Sequence, residues 1–318
     1  MQRDADIQLR GFRYGTLFPY SCSNNQTGKR SMTKPCAGPV PALPPKLKAP
    51  PGACDTHAHI IGPFDRFPLS EERGYTPPVS DLAAFEAFQK TLGIDRAVIV
   101  HPSCYGTMMD ITVDAVTRMG DRARGIAVVE PTITDAELDR LNEAGFRGLR
   151  FTTLLKGGAD VGGITAMAER IKRLGWHIQM FIDAENQLLD LLPALKALPV
   201  DLVLDHMGHF QPTAGVDHPA FQAMLDLVKD GRCWVKLSGA YRASHAAPGW
   251  DDMTDYATVL IETRPDRMVW ATDWPHVMLW DKPMPEGADL LDWALSWKID
   301  DITMKQILVD NPAELYGF

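Results

Sequence analysis

Eight short apolar, β-branched runs, each parted from the next by a longer segment of helical period, predict an α/β chain closed as a (β/α)8 barrel, with an extended N-terminal arm. Three observations carry this. Eight strand–helix units in about 265 residues match the usual size of such a barrel. The runs are nearly continuous in apolar character, as strands covered on both faces should be. Polar residues collect after the runs rather than before them, and the C-terminal ends of barrel strands are where reacting groups sit. A doubly wound sheet also alternates strands and helices, but no glycine-rich phosphate loop follows the first run.

The arm comes first, over residues 1–51. Positions 22–34 are polar, and Pro35, Pro39, Pro41, Pro44, Pro45, Pro50 and Pro51 then crowd together. Proline lacks the N–H a sheet ladder needs and breaks a helix interior, so this stretch reads as extended chain. Met32 opens Met-Thr-Lys-Pro and is a second candidate for the translation start.

The barrel domain spans 52–318. Its first run is Ala53–Ile61, and Ser80 then precedes a helix over Asp81–Leu92 that stops at Gly93. The second run, Arg96–His101, leads to a helix at Asp110–Met119. The third, Gly125–Glu130, leads to Thr134 and a helix over Asp135–Ala144, with Glu137 at capping-box spacing and Gly145 behind it. Gly148–Thr152 and His177–Ile182 are the fourth and fifth runs, followed by helices at Ile164–Leu174 and Glu185–Leu198. The sixth, Leu202–Asp205, precedes a helix opening at Pro219 and capped by Asp217 or His218. Trp234–Ser238 leads to Asp251–Thr263, and Met268–Thr272 to Glu286–Ser296. A last helix at Thr303–Val309 ends before Asn311-Pro312.

The composition of the 318-residue chain, 45% hydrophobic and 23% charged, is that of a globular protein and excludes collagen-like, coiled-coil and wholly disordered chains. A formal net charge of -9 argues against a nucleic-acid or anionic-membrane partner, both of which need excess Lys and Arg. No stretch approaches the ~20 apolar residues of a membrane span. The five cysteines, Cys22, Cys36, Cys54, Cys104 and Cys233, are odd in number and irregularly spaced, giving neither a disulfide framework nor a CxxC zinc pattern. No apolar leader follows Met1, so the expected setting is the cytoplasm, with a small-molecule partner and a monomer or homo-oligomer as the assembly.

Asp55-Thr-His57-Ala-His59 is the most informative segment. Residues two apart on a strand share a face, so both imidazoles are expected at the barrel mouth with Asp55 below them. Two imidazoles on one rim can hold a divalent metal or polarise a carbonyl. His206, after the sixth run, adds a third imidazole, and Asp273, after the eighth, a carboxylate that can ligate metal or take a proton from water. His101 and Ser103, Glu130, Arg150, Asp183, His209, Tyr241 with Arg242, and His276 complete the polar groups after the runs.

This constellation resembles the amidohydrolase superfamily of (β/α)8 hydrolases, and the likeness extends over Cys54–Phe318. Asp55-Thr-His-Ala-His-Ile-Ile-Gly-Pro63, Gly74-Tyr75-Thr76-Pro77, His101-Pro102-Ser103, Arg147-Gly148-Leu149-Arg150-Phe151, Leu204-Asp205-His206-Met207-Gly208 and Thr272-Asp273-Trp274-Pro275-His276 look like the branch holding 2-pyrone-4,6-dicarboxylate lactonase. That branch also holds sulfomuconolactone hydrolase, galactarolactone isomerase and sugar lactonases. The resemblance implies a lactonase of aromatic-acid catabolism, with His57, His59 and His206 polarising the lactone carbonyl and Asp273 acting as general base. It implies substrate contacts from Tyr75, Ser103, Arg150 and Arg242, with Lys156 and His276 as further candidates. Guanidinium suits this work because its planar fork pairs both oxygens of a carboxylate.

Two departures from the branch bear on substrate choice. Its second basic residue after the Arg150 position is met here only by Lys156, and its tyrosine at the end of the fifth strand is replaced by Phe181-Ile182-Asp183. Arg150 also occupies the place where many superfamily members carry a metal-bridging lysine, which argues against a binuclear centre. A single zinc on His57, His59 and Asp273 is the metal alternative, and a metal-free route is chemically reasonable for an activated acyl group. The rival activities are a zinc-dependent amide hydrolase or decarboxylase and a lactone isomerase on the same barrel.

Overall fold

The computed structural model describes residues 33–155 and 161–318. Eight strands form one sheet in sequence order: β1 (Cys54–Ala58), β2 (Arg96–Val100), β3 (Ala123–Ala127), β4 (Phe146–Thr152), β5 (His177–Phe181), β6 (Leu202–Leu204), β7 (Cys233–Leu237) and β8 (Met268–Trp270). Every consecutive pair is parallel. The ring closes just past β8, where Asp273 N donates to His57 O at 2.9 Å and His59 N donates to Trp274 O at 2.8 Å. This is the (β/α)8 barrel that the alternation of runs predicts.

The main helices between strands are α1 (Leu82–Leu92), α2 (Asp110–Met119), α3 (Asp135–Glu143), α4 (Ile164–Ile171), α5 (Ala184–Lys196), α6 (Pro219–Lys229), the single turn α7 (Ala240–Ala243) and α8 (Thr254–Thr263). After β8 come α9 (Gly287–Asp292), α10 (Asp301–Lys305) and α11 (Asn311–Tyr316). Local chemistry explains their ends. Thr134 and Glu137 form the full capping box at α3, and the His218 side chain accepts from Ala220 N ahead of Pro219 at α6. At α1 the cap is Asp81 rather than Ser80: its carboxylate accepts from Ala84 N, while Ser80 pairs main chain with Ile61 and is thereby held out of the helix. The C-terminal segment is also more helical than its Asn-Pro pair suggests, because proline is tolerated in a first turn and Pro312 falls there in α11.

Apolar residues of the strands and helices merge into one large core, with Tyr316 of α11 packing on Cys54, Val98, Val100 and Ile126 in a smaller cluster. Cys54, Cys104 and Cys233 are buried free thiols, and Cys36 is half-buried. The part of the arm in view, from Thr33 to Pro51, is largely irregular and lies along the chain that follows β8. Leu43 N donates to Glu286, and Lys46 N and Leu47 N donate to the Asp292 carboxylate. Among the described residues no helix is long and apolar enough to cross a membrane.

Candidate active site

The strand runs are less uniformly apolar than their sequences suggest. Arg150 on β4, Gln179 on β5, Asp205 just past β6 and Lys236 on β7 are all buried, Lys236 and Asp205 completely. They meet one another inside the barrel. Arg150 Nε donates to Asp205 Oδ2 at 2.9 Å, and Gln179 Nε2 donates to the same oxygen at 3.1 Å. Lys236 Nζ donates to Gln179 Oε1 and to Thr56 O on β1, each at 2.8 Å, and lies 3.5 Å from Asp205 Oδ1. A contact from β7 to both β1 and β5 is possible only through the lumen. Burial works to raise the Asp205 carboxyl, but His57, Lys236 and Arg150 outweigh it and hold it well below the usual carboxylate range. Burial pulls the Lys236 amine down to about 8, against the opposing pull of Asp205.

Above this cluster, toward the C-terminal ends of the strands, four side chains converge. The Nε2 atoms of His57 and His59 lie 3.8 and 3.6 Å from Asp273 Oδ1, and His206 Nε2 lies 3.5 Å from Asp273 Oδ2. All four groups are at least nine-tenths buried. The seam between β1 and β8 sets this arrangement: its two main-chain bonds, from Asp273 N and His59 N, place the carboxylate between the two imidazoles of the first strand. Asp273 sits in the left-handed region, φ 63°, and so do His206 and Met207, a conformation that costs non-glycine residues on the order of 1 kcal/mol or more. Gly239 lets His206 approach β7; a Cβ there would stand 2.6 Å from the Cβ of His206.

The two oxygens of Asp273 are unlike. Oδ2 accepts from the Tyr241 hydroxyl at 2.8 Å and from Arg242 Nε at 2.6 Å. Oδ1 is flanked by the two imidazoles, with His59 Nε2 the nearer at 3.6 Å. Burial works to raise this carboxyl, but Arg242, then His206, His59 and His57, outweigh it and keep it well below the usual range. Burial lowers His57 strongly and takes His206 down to about 4, so both are neutral near pH 7.

Hydrogen bonding fixes the tautomers of the first-strand pair. His59 Nδ1 is 2.7 Å from Val100 O, and a carbonyl only accepts, so Nδ1 carries the proton and a neutral His59 presents a lone pair at Nε2. His57 Nδ1 is 3.1 Å from the Asp205 carboxylate, nearer than the Lys236 amine at 3.3 Å, and its Nε2 is buried without a hydrogen-bond partner among the described residues. Two lone pairs therefore face a carboxylate oxygen. That set of acceptors calls for a positive charge among them, a proton or a metal ion, and the donor atoms of His57, His59 and Asp273 lie within 4.8 Å of one another. Two histidines and one aspartate are a donor set that fits a single divalent cation. His206 differs: its Nδ1 meets the Ser238 hydroxyl at 2.8 Å, which can accept or donate, so His206 can present an Nε2–H.

The remaining sequence candidates divide. Tyr75 is buried beside Ser103 and Cys104, and Ser103 Oγ completes no hydrogen bond among the described residues. His276 is buried with its ring edge-on to Tyr241 at 5.4 Å and the Thr272 main chain beside it, and neither ring nitrogen completes a hydrogen bond among the described residues. Arg150 spends Nε on Asp205 and stacks over Phe181 at 5.2 Å. Arg242 spends Nε on Asp273 and Nη1 on Val277 O. Lys156 lies outside the described residues. His101 bonds Thr112 Oγ1 and Gly106 O and is fully occupied. Asp55 lies under the pair, bonding the main chain of His57 and Thr272 and the Thr272 hydroxyl, and burial raises it to about 6. Asp205, Lys236 and Gln179 were not singled out from the sequence. Their signal is a charged or amide residue in an apolar run, two positions from an inward neighbour.

Comparison with known proteins points the same way. The Amidohydrolase family profile matches residues 54–318. A 4-sulfomuconolactone hydrolase of Rhizobium radiobacter is 38% identical over 291 residues, covering 89% of this chain and 96% of its own. A 2-pyrone-4,6-dicarboxylate hydrolase of Comamonas testosteroni is 36% identical over 283 residues, covering 86% and 92%. A solved structure, a probable 2-pyrone-4,6-dicarboxylic acid hydrolase of Acinetobacter baumannii with citric acid bound, superposes with a TM-score of 0.74 at 27% identity, covering 84% of this chain and 100% of that one.

Proposed function

The chain belongs to the amidohydrolase family, and from that premise we propose that it is a lactonase that opens a small, carboxylated lactone by hydrolysis. One observation carries the reading: three imidazole Nε2 atoms gather within 3.8 Å of one buried carboxylate at the C-terminal end of the barrel. The relatives that act on sulfomuconolactone and pyrone dicarboxylate supply the substrate class.

In this reading the lactone carbonyl lies against the imidazoles. His206 donates Nε2–H to the carbonyl oxygen as it gains charge, and His57 and His59 flank the same carbonyl. Asp273 Oδ1, the oxygen no donor occupies, takes a proton from the attacking water. The water oxygen bonds to the carbonyl carbon, the ring C–O bond breaks, and Asp273 returns the proton to the ring oxygen. Tyr241 and Arg242 hold Oδ2 throughout, so the base keeps one orientation. Ser103, Tyr75, His276 and the outer nitrogens of Arg150 are the groups left to receive the substrate's own carboxylate.

His57, His59 and Asp273 would hold a zinc ion, which when bound polarises a carbonyl and lowers the pKa of water to ~7. We place the reaction in the cytoplasm, a setting suited to a chain with four free thiols among its described residues. The test is a panel of pyrone dicarboxylate, muconolactones and sugar-acid lactones, assayed before and after chelation in heavy-oxygen water. Label entering the new carboxylate of an acidic lactone supports hydrolysis. Unlabelled product identifies an isomerase, and release of carbon dioxide a decarboxylase.

A further inference from the structure

We infer that Thr33–Cys36 is a specificity-determining part of the substrate pocket: a clasp that fixes the loop carrying Tyr75 against the loop that anchors Arg242. Its substrate side rests on the lactonase reading; its mechanics rest on geometry alone. On one side Pro35 bridges Thr76 in parallel. Cys36 N donates to Thr76 O at 2.8 Å and Thr76 N donates to Lys34 O at 3.1 Å, so both main-chain polar groups of Thr76 are spent on the clasp. The hydroxyls of Thr33 and Thr76 are 2.5 Å apart. On the other side Trp280 Nε1 donates to Pro35 O at 2.8 Å, and Met278 N donates to Cys36 Sγ at 3.3 Å.

Each attachment is one residue from a group of the candidate site. Tyr75 precedes Thr76 and is buried beside Ser103. Val277 precedes Met278, and its carbonyl accepts from Arg242 Nη1 at 3.0 Å while Arg242 Nε holds Asp273. The two loops belong to opposite sides of the β1/β8 seam and have no strand pairing of their own with each other, so these bonds set the gap between a phenol and a guanidinium across the mouth. A substrate held by Tyr75 while its carbonyl meets the Asp273 that Arg242 supports is sensitive to such a gap, because a site works only when its groups are kept within about 0.5 Å of the productive geometry. The rest of the arm is seated separately through Leu43, Lys46 and Leu47, so loosening the clasp leaves residues 37–51 in place.

The experiment is Cys36→Pro in the full chain, which removes the N–H given to Thr76 and the sulfur that accepts from Met278. KM for the best acidic lactone should rise roughly tenfold with kcat within about twofold, and amide exchange should quicken at Tyr75, Thr76 and Met278. Adding Thr33→Cys and Thr76→Cys to this variant supplies a disulfide across the clasp, and oxidation should bring KM back while reduction raises it again. An unchanged KM in Cys36→Pro overturns the clasp, as does a raised KM that the cross-link leaves untouched. Should the full chain open no lactone of the panel, the lactonase reading falls by itself. Exchange then decides the clasp: quickening at both loops supports it, and unaltered protection at either one overturns it.

Discussion

The upper and lower parts of the barrel lumen are made of the same kinds of side chain and differ in how fully those side chains are satisfied. Below, Asp205 takes hydrogen bonds from Arg150, Gln179 and His57, and Lys236 gives its own to Thr56 and Gln179. Above, His57 Nε2, Ser103 Oγ and both nitrogens of His276 are buried with no hydrogen-bond partner among the described residues. Buried polar atoms in native proteins are nearly always paired, so the linked Asp205–Lys236 set holds shape, with His177 Nε2 beside it left over, while the orphans above can be met by a ligand. His57 belongs to both, Nδ1 below and Nε2 above, and transmits the order of one to the other.

The sharpest way to separate the two regions is Asp273→Asn. Turnover of the preferred lactone should fall ~10²–10⁴-fold with the fold retained, because the amide keeps the shape but cannot take the water's proton. Stopped-flow or steady-state rates near those of the parent would falsify the assignment of Asp273 as base. In the lower region the expected loss is of stability. Asp205→Ala strands the buried Arg150 and Lys236 charges and should cost about 3–5 kcal/mol in urea unfolding. A change under 1 kcal/mol (roughly fivefold in the unfolding constant) would show the cluster to be as loose as a surface ion pair.

Arg150 probes the boundary between them. Arg150→Met should raise KM roughly tenfold for carboxylated lactones and leave a neutral lactone nearly unchanged. Equal effects on both would confine Arg150 to its bond with Asp205. The mildest expected effect is that of pH. Burial lowers His101, His177 and His276 to about 3 and His206 to about 4. Below the ordinary histidine value of 6.5 the unfolded chain binds protons that the native one refuses. Stability should therefore decline as pH falls from 6.5 toward 4, on the order of 1 kcal/mol per pH unit or more. Asp55, raised to about 6, works in the opposite sense, since its native form holds a proton between pH 3.8 and 6 that the unfolded chain gives up. A urea midpoint that is flat or rising on acidification would show that the fold does not hold these four histidines neutral, since the single Asp55 proton cannot offset theirs.

The barrel and the upper cluster were legible because they are periodic or motif-bound. Strand runs recur, His57 and His59 share a face of the first, and His206 and Asp273 follow the sixth and eighth. The lower cluster was not, because Lys236 and Gln179 each sit singly among apolar neighbours, and their shared interior shows only once strands far apart in sequence are placed side by side. The same blindness hides what Arg242 holds. A guanidinium after a strand reads as a substrate clamp, and only the structure shows that its Nε is committed to Asp273 at 2.6 Å. Caps divide likewise: Thr134 with Glu137 is decided locally, whereas Ser80 loses its place at α1 to a pairing with Ile61 nineteen residues upstream.

The closing of the ring has a consequence for synthesis. His57 and His59 leave the ribosome early, on the first strand, and Asp273 nearly last. A nascent chain that has emerged only to residue 250 thus holds both imidazoles without the Asp273 carboxylate that faces their Nε2 atoms. The cluster of three imidazoles and one carboxylate is therefore complete only once the chain past the eighth strand docks, and on the reading proposed above fragments cut short of it should be inert.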